Sequence, residues 1–485
     1  MKARNVKKTF YLTTTLPYVN ADPHLGHALE FVEADFLARA LRAQGAEVFF
    51  NIGTDEHGAK IAQKAERERK SPQAYVDEYA ARFKSFADRL DISYDSFVRT
   101  TDPSHIAAAQ AFWKKCAAAD DIYKASYEVK YCIGCELEKT DSELVGGQCP
   151  LHLNLAIEMR AEENYYFRFS KYQDALLAHY VAQKDFVVPE ERMRELVSFV
   201  AVGLKDFSIS RRREKMSWGI SVPDDEEHVM YVWFDALVNY LSVIGWPEDE
   251  KRFQKWWPAT QIAGKDNLRQ QTAMWQAMLL SAGLPFSRTI FIHGFITSGG
   301  QKMSKTLGNV IDPMKLADIY GSDAVRYILL RHANPFEDSD LTETLIQELY
   351  TAHLANGLGN LVARVMKLAE DHLPHPVALT DADERVDAAF SAHTDAFRFN
   401  EAMDFIFAKV SAADAFMAIQ APFKFVKSDV PDVKNQAHRD IAYLIRQLAS
   451  IATHLAFAMP RTAATIISAV RENKKPDNLF PRLSA

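Results

Sequence analysis

At 485 residues the chain is too long for one hydrophobic core, and its 48% apolar and 25% charged content is that of a well-folded protein with two or three packed units. A net charge of −7 with a pI near 6.1 excludes a molecule that is basic throughout, so any nucleic-acid contact has to come from a local patch. Four cysteines exclude a disulfide framework, and no apolar run reaches the roughly 20 residues of a membrane span, so a cytoplasmic protein is expected.

Residues 9 to 15, TFYLTTT, are β-branched and aromatic and predict a buried strand. After LPYVNADP, the segment from His27 to Ala43 puts Leu29, Val32, Phe36 and Ala40 on one helical stripe, and Gly45 suits the helix end. EVFFNIG is again strand-like, so a βαβ unit and with it a doubly wound parallel sheet of the α/β class begin at the N-terminus. Alternation returns in HVMYVWFDA, in QIAGKDNLRQQTAMWQAMLLSAG, in RTIFIHGF and in the helix pair MKLADIYGSDAVRYILLRH. Beyond about residue 340 the strand signal disappears, and three long amphipathic periods broken at prolines predict an antiparallel helix bundle. The expected organisation is a sheet domain in two halves, 1–116 and 211–340, an insertion at 117–210, and a helical domain at 341–485.

Two short motifs carry chemistry. In PHLGH, His24 and His27 sit three apart on the first turn of a helix, whose unpaired N–H groups and dipole attract phosphate, and Gly26 leaves the backbone open. In GGQKMSKTLGNV, Lys302 and Lys305 lie in a glycine-flanked loop able to close on a triphosphate. Alone, the first reads as two half-buried histidines and the second as a solvated loop. Together they resemble the HIGH and KMSKS motifs of the class I aminoacyl-tRNA synthetases. A third pattern, Cys132-x-x-Cys135 followed by Cys149-x-x-His152, supplies four ligands for one tetrahedral Zn²⁺ with no open position, hence a structural site.

Within that class the chain resembles the methionyl-tRNA synthetases over nearly its whole length, through TLPYVN, GTDEHG, EENYYFRFSKY, DFSISR, YVWFDALVNY, GKD, HGF, KMSKTLGNV and LGNLVAR in family order. The resemblance implies a Rossmann-like nucleotide-binding catalytic domain, a zinc-knuckle connective insertion and a helical anticodon-binding domain. It implies a methionine site at Leu16, Tyr18, Asp55, Trp233, Ala236, Tyr240, Gln271 and Trp275, with Gln271 standing where the family usually has histidine. A carboxylate at Asp55 suits the substrate ammonium, and aromatic rings suit a thioether. For ATP it implies His24 and His27 on the phosphates, Glu30 and Asp266 on the ribose, Gly264 beside them, His293 and Gly294 near adenine, and Lys302 and Lys305 on the leaving pyrophosphate, with Mg²⁺ accompanying ATP. For the anticodon of tRNA(Met) it implies Asn360, Arg364 and Phe423, the last replacing the usual tryptophan.

The stretch between the two motifs is too short for the large editing domain of the leucine, isoleucine and valine enzymes. The chain ends at LFPRLSA directly after the bundle, so a monomer is expected. Three other readings stand beside a methionine–tRNA ligase. A cysteinyl-type synthetase would need an open zinc site, a tRNA-independent nucleotidylyltransferase would not need the bundle, and a non-catalytic tRNA-binding protein would not need both motifs.

Overall fold

The computed structural model describes residues 8–135, 137–139, 143–303 and 309–483, without the side chains at 127–129, 137, 138, 160–162 and 302. Six strands form one parallel sheet: β1 (Thr9–Thr14), β2 (Glu47–Thr54), β3 (Ser96–Arg99), β4 (Val187–Val188), β5 (Ala259–Gly264) and β6 (Thr289–His293). Their order is β3-β2-β1-β5-β6-β4, and helix α1 (Leu25–Ala43) crosses from β1 to β2. Thr14 pairs with Ile262 and Gly264 with His293, so the order reverses between β1 and β5. In an open parallel sheet ligands bind outside the carboxyl ends of the strands at such a reversal.

Alternation along the strands feeds two cores. Leu12, Phe50, Ile52, Ile262 and Phe291 face α1 and the C-terminal helices, whereas Tyr11, Phe49, Ala263, Ile290 and Ile292 face a second core with Phe112 and Trp275. Period-2 side-chain placement on a sheet covered on both faces produces this division. The expected doubly wound α/β sheet is therefore present.

Other segments depart from the sequence reading. Asp225–Met230 pairs with Ser210–Arg212 and Ser221–Val222 in a separate antiparallel sheet, and VWFDA coils into the short helix Val232–Ala236. In the cysteine-bearing region, Ile122–Cys132 and Ile157–Phe167 form a long antiparallel pair from Ile122 opposite Phe167 to Cys132 opposite Ile157. Val187–Val188, from the stretch expected as insertion, forms the edge of the parallel sheet beside β6. After β6, Ile296–Ser298 and Gln301–Lys302 make a hairpin whose two turn residues, Gly299 and Gly300, have φ of 65° and 71°, as a tight primed turn requires.

The C-terminal region is helical: α2 (Ser322–His332), α3 (Asn360–His372), α4 (Phe399–Gln420), α5 (Pro431–Ala458) and α6 (Pro460–Glu472) are its main helices. By length and composition α5 could cross a membrane, but most of its apolar stretch is buried inside the bundle. The second amphipathic period breaks at Phe397, at φ 57°, whose ring stacks on Phe291 of β6 with centroids 4.8 Å apart. Arg326 of α2 is fully buried where bundle and sheet domain meet: it donates to the carbonyls of Ala458, Phe457 and Leu90 at 2.6, 3.1 and 3.0 Å and pairs with Asp35 of α1 at 2.6 Å.

Candidate active site

The first βα turn is closed by its own histidines. His24 is the N-cap of α1: its Nδ1 accepts from Gly26 N at 3.1 Å, while His27 Nδ1 accepts from His24 N at 3.2 Å. The rings stack with centroids 3.7 Å apart, so the two imidazoles do share one face of the turn. A Cβ on Gly26 would lie 3.0 Å from the His24 ring, a tight contact that the ring would have to ease by shifting a few tenths of an ångström. Burial, aided by the neighbouring His24, holds the His27 pKa well below the ordinary imidazole value. His27 is thus neutral near pH 7 and offers Nε2–H as a hydrogen-bond donor rather than a charge.

One turn further on, Glu30 Oε1 accepts from Thr15 N at 2.7 Å and Thr15 Oγ1 at 2.5 Å, and Glu30 Oε2 lies 3.1 Å from His293 Nε2. This ties the carboxyl ends of β1 and β6 to α1. Burial alone would lower the His293 pKa, but the bond to Glu30 and the charges of Glu33 and Glu30 raise it to about 9. Glu33, buried on the same helix face, is pushed by desolvation to about 8. Gly264 ends β5 beside this pair, where a Cβ would sit 2.9 Å from Asp266 Oδ1, and Asp266 itself is exposed. At Gly294 a Cβ would meet Glu337 O at 2.1 Å, so close backbone packing requires that glycine.

On the other side of β1, Tyr18 bridges to Asp55 through the backbone, and the Tyr18 hydroxyl lies over Gly58, where a Cβ would stand 2.5 Å away. Leu16 and Trp233 are half-buried, whereas Ala236, Tyr240, Gln271 and Trp275 are buried. Tyr240 packs edge-on against Trp275 at 5.9 Å, and its hydroxyl, raised in pKa by burial, also feels the charges of Glu30 and Asp55. Gln271 Nε2 donates to that hydroxyl at 2.9 Å. Backbone Lys302 is registered opposite Thr297, while its side chain and the whole of Lys305 and Thr306 lie outside the described residues.

Cys132, Cys135, Cys149 and His152 place their ligand atoms within 4.8 Å of one another. Cys135 Sγ is 3.3 Å from His152 Nδ1 and 3.4 Å from Cys149 Sγ, separations close to the edges of a tetrahedron with metal–ligand bonds of about 2.0–2.3 Å. The residues fit a closed Zn²⁺ site. A Cβ on Gly134 would fall 2.2 Å from the His152 ring, so this glycine admits the fourth ligand.

The family profile described as tRNA synthetases class I (M) matches residues 10–157 and 152–366. The methionine–tRNA ligase of Mesorhizobium japonicum is 42% identical over 457 residues, covering 91% of this chain and 88% of that protein. That of Thermosynechococcus vestitus is 43% identical over 433 residues, covering 86% and 82%. This chain belongs to the class I methionyl-tRNA synthetases. Among solved structures, Mycobacterium tuberculosis methionyl-tRNA synthetase in complex with methionyl-adenylate is similar with a TM-score of 0.87 at 37% identity, covering 95% of this synthetase and 93% of that chain.

In the helical region of this synthetase, Arg364 and Phe423 line one open groove of about 460 Å³ together with Lys367, Leu368, Met417 and Lys475. Phe423 is 45% exposed, too open for a core contact. Asn360 is exposed one turn before Arg364 on α3, and Arg364 pairs with Asp414 at 3.1 Å. Lys367 and Lys475, which the sequence reading passed over, add cations to this wall.

Three further groups near the methionine-site set went unread. His57 Nδ1 and His105 Nε2 hold the two oxygens of buried Asp235 at 2.6 and 2.7 Å. Burial alone would raise the Asp235 carboxyl, but the imidazoles hold it below the usual range. This clamp fixes the GTDEHG loop, with Asp55, to the helix carrying Trp233 and Ala236. His57 and Asp235 lie inside quoted motifs, whereas His105 had no local signal.

Proposed function

We propose that the chain is a methionine–tRNA ligase that forms methionyl-adenylate from methionine and ATP and then transfers the methionyl group to the terminal ribose of tRNA(Met). The observation that carries this reading is the stacked His24–His27 cap at the reversal of the sheet, beside Glu30 and His293, with Tyr240, packed on Trp275, within reach of the charges of Glu30 and Asp55. A phosphate chain at that helix end meets the positive end of the helix dipole and the Nε2–H groups of the two rings, and the substrate carboxylate attacks the α-phosphorus in line as pyrophosphate leaves.

In this reading Asp55 holds the substrate ammonium, while Leu16, Tyr18, Trp233, Ala236 and Trp275 enclose the side chain and Tyr240 with Gln271 addresses the sulfur end. His24 and His27 donate to the phosphates, Lys302 and Lys305 neutralise the leaving pyrophosphate, and Gly264, Asp266, His293 and Gly294 border the nucleoside. Glu30, both of whose oxygens are engaged, orients His293 and meets the ribose only by exchanging one of those bonds. Mg²⁺ bound with ATP supplies the remaining charge neutralisation. Asn360, Arg364 and Phe423, with Lys367 and Lys475, receive the anticodon. One Zn²⁺ at Cys132, Cys135, Cys149 and His152 shapes the insertion.

In this reading the enzyme acts as a monomer in the cytoplasm. ATP–pyrophosphate exchange with each of the twenty amino acids, followed by charging of tRNA(Met), tests the reading. Exchange with methionine alone among the twenty is the expected result, and exchange with cysteine instead would overturn it.

A further inference from the structure

Gln271 does not stand alone behind Tyr240: it ends a chain of buried hydrogen bonds whose polarity is set by the backbone. Ser287 N donates to Gln276 Oε1 at 3.0 Å, which fixes the orientation of that amide. Gln276 Nε2 then donates to Gln271 O at 2.8 Å and to Ser287 Oγ at 3.1 Å. Having accepted, the Ser287 hydroxyl donates its proton to Gln261 Oε1 at 2.8 Å. Gln261 Nε2 is left to donate to Gln271 Oε1 at 3.3 Å, and Gln271 Nε2 to donate to the Tyr240 oxygen at 2.9 Å. Every member is buried. A backbone donor and a backbone acceptor admit no flip, so each amide in the sequence has one orientation.

The Tyr240 oxygen is therefore an acceptor toward Gln271, and its proton is left to give; Asn239, whose amide donates to Ala236 O at 2.6 Å, also lies against this hydroxyl. We infer that Gln261, Gln276 and Ser287 are positioning residues that aim the Tyr240 O–H at the thioether of the bound amino acid and so set the preference for sulfur over an isosteric methylene. This rests on the methionine–tRNA ligase reading and adds to it the residues that hold the sulfur-facing hydroxyl in its orientation. An uncharged relay replaces the histidine usual in the family at position 271. Breaking it anywhere lets Gln271 turn over, whereupon its oxygen takes the Tyr240 proton and the sulfur loses its donor.

The test compares methionine with norleucine, which carries a methylene in place of sulfur and accepts no hydrogen bond, in ATP–pyrophosphate exchange by the full-length protein. In Ser287→Ala the KM for methionine should rise about three- to tenfold, the range of one uncharged hydrogen bond. The kcat, the KM for ATP and the KM for norleucine should not move. Ser287→Thr, which keeps the hydroxyl, should restore the methionine KM. Gln261→Met breaks the relay at its other link and should give the same split, which keeps the test open should Ser287→Ala fold poorly. Parallel loss for both amino acids, or no change for either, would overturn the relay while leaving the ligase reading in place. Absence of methionine exchange in the unmodified protein would overturn both.

Discussion

Arg326 Nη2 lies 2.6 Å from Asp35 Oδ2 with both side chains wholly inaccessible, and the same guanidinium caps the last carbonyls of α5. Burial would raise the Asp35 carboxyl, but Arg326 and Arg39 hold it below its usual range. Removing Arg326 leaves buried Asp35 to Arg39 and Ser93 alone and takes the donor from three backbone carbonyls. Arg326→Met is expected to lower stability by about 3–5 kcal/mol in urea unfolding, and Asp35→Asn in the same background to recover part of it.

Glu33 and His293 make stability depend on pH. The folded Glu33 keeps its proton up to about 8, against 4.5 unfolded, so its contribution is complete below 4.5 and lost as the pH rises through 8. His293 acts in the same direction: its contribution is complete below 6.5 and lost through about 9. Glu33→Gln should therefore melt like the parent at pH 5 and above it at pH 8.5, by an amount on the order of a few kcal/mol. Equal melting shifts at both pH values would contradict this.

Gly134→Ala should strip the metal without touching a ligand, because its Cβ would occupy the place of the His152 ring. Metal analysis of the purified protein should give one zinc per chain, and the variant should fall well below one. Cys135→Ser should do the same.

Phe423→Ala should weaken tRNA(Met) binding by about 5- to 150-fold, equivalent to ~1–3 kcal/mol of lost base stacking, with amino-acid-dependent exchange unchanged. Phe423→Trp should tighten it. A filter-binding titration measures both, and an unchanged Kd for Phe423→Ala would remove this face from the tRNA contact.

The βαβ start was legible because period-2 strands flank a 3.6-period helix between turn signals, and the bundle because its apolar stripes are long. VWFDA was not: its apolar residues suit a strand or a buried helix equally, and Tyr231, held by Ile209 O at 2.8 Å, ends the strand where the spacing cannot show it. Two valines at 187 and 188 are too few to announce an edge strand. In the site, HLGH and the cysteine pairs were readable as local spacings. Asp235 joins His57 and His105 across 178 and 130 residues of sequence, and Glu33 is distinguished only by the burial that folding imposes.

The helix end at His24 is already complete before any substrate arrives, since the two imidazoles supply acceptors to the amides of Gly26 and His24. An incoming anion at this turn meets a prebuilt rim, with its shape set by ring stacking, and loses little entropy in organising it. Trimming either ring should therefore blur the entrance before it lowers the charge within, so that slack in nucleotide placement precedes any deficit in attraction.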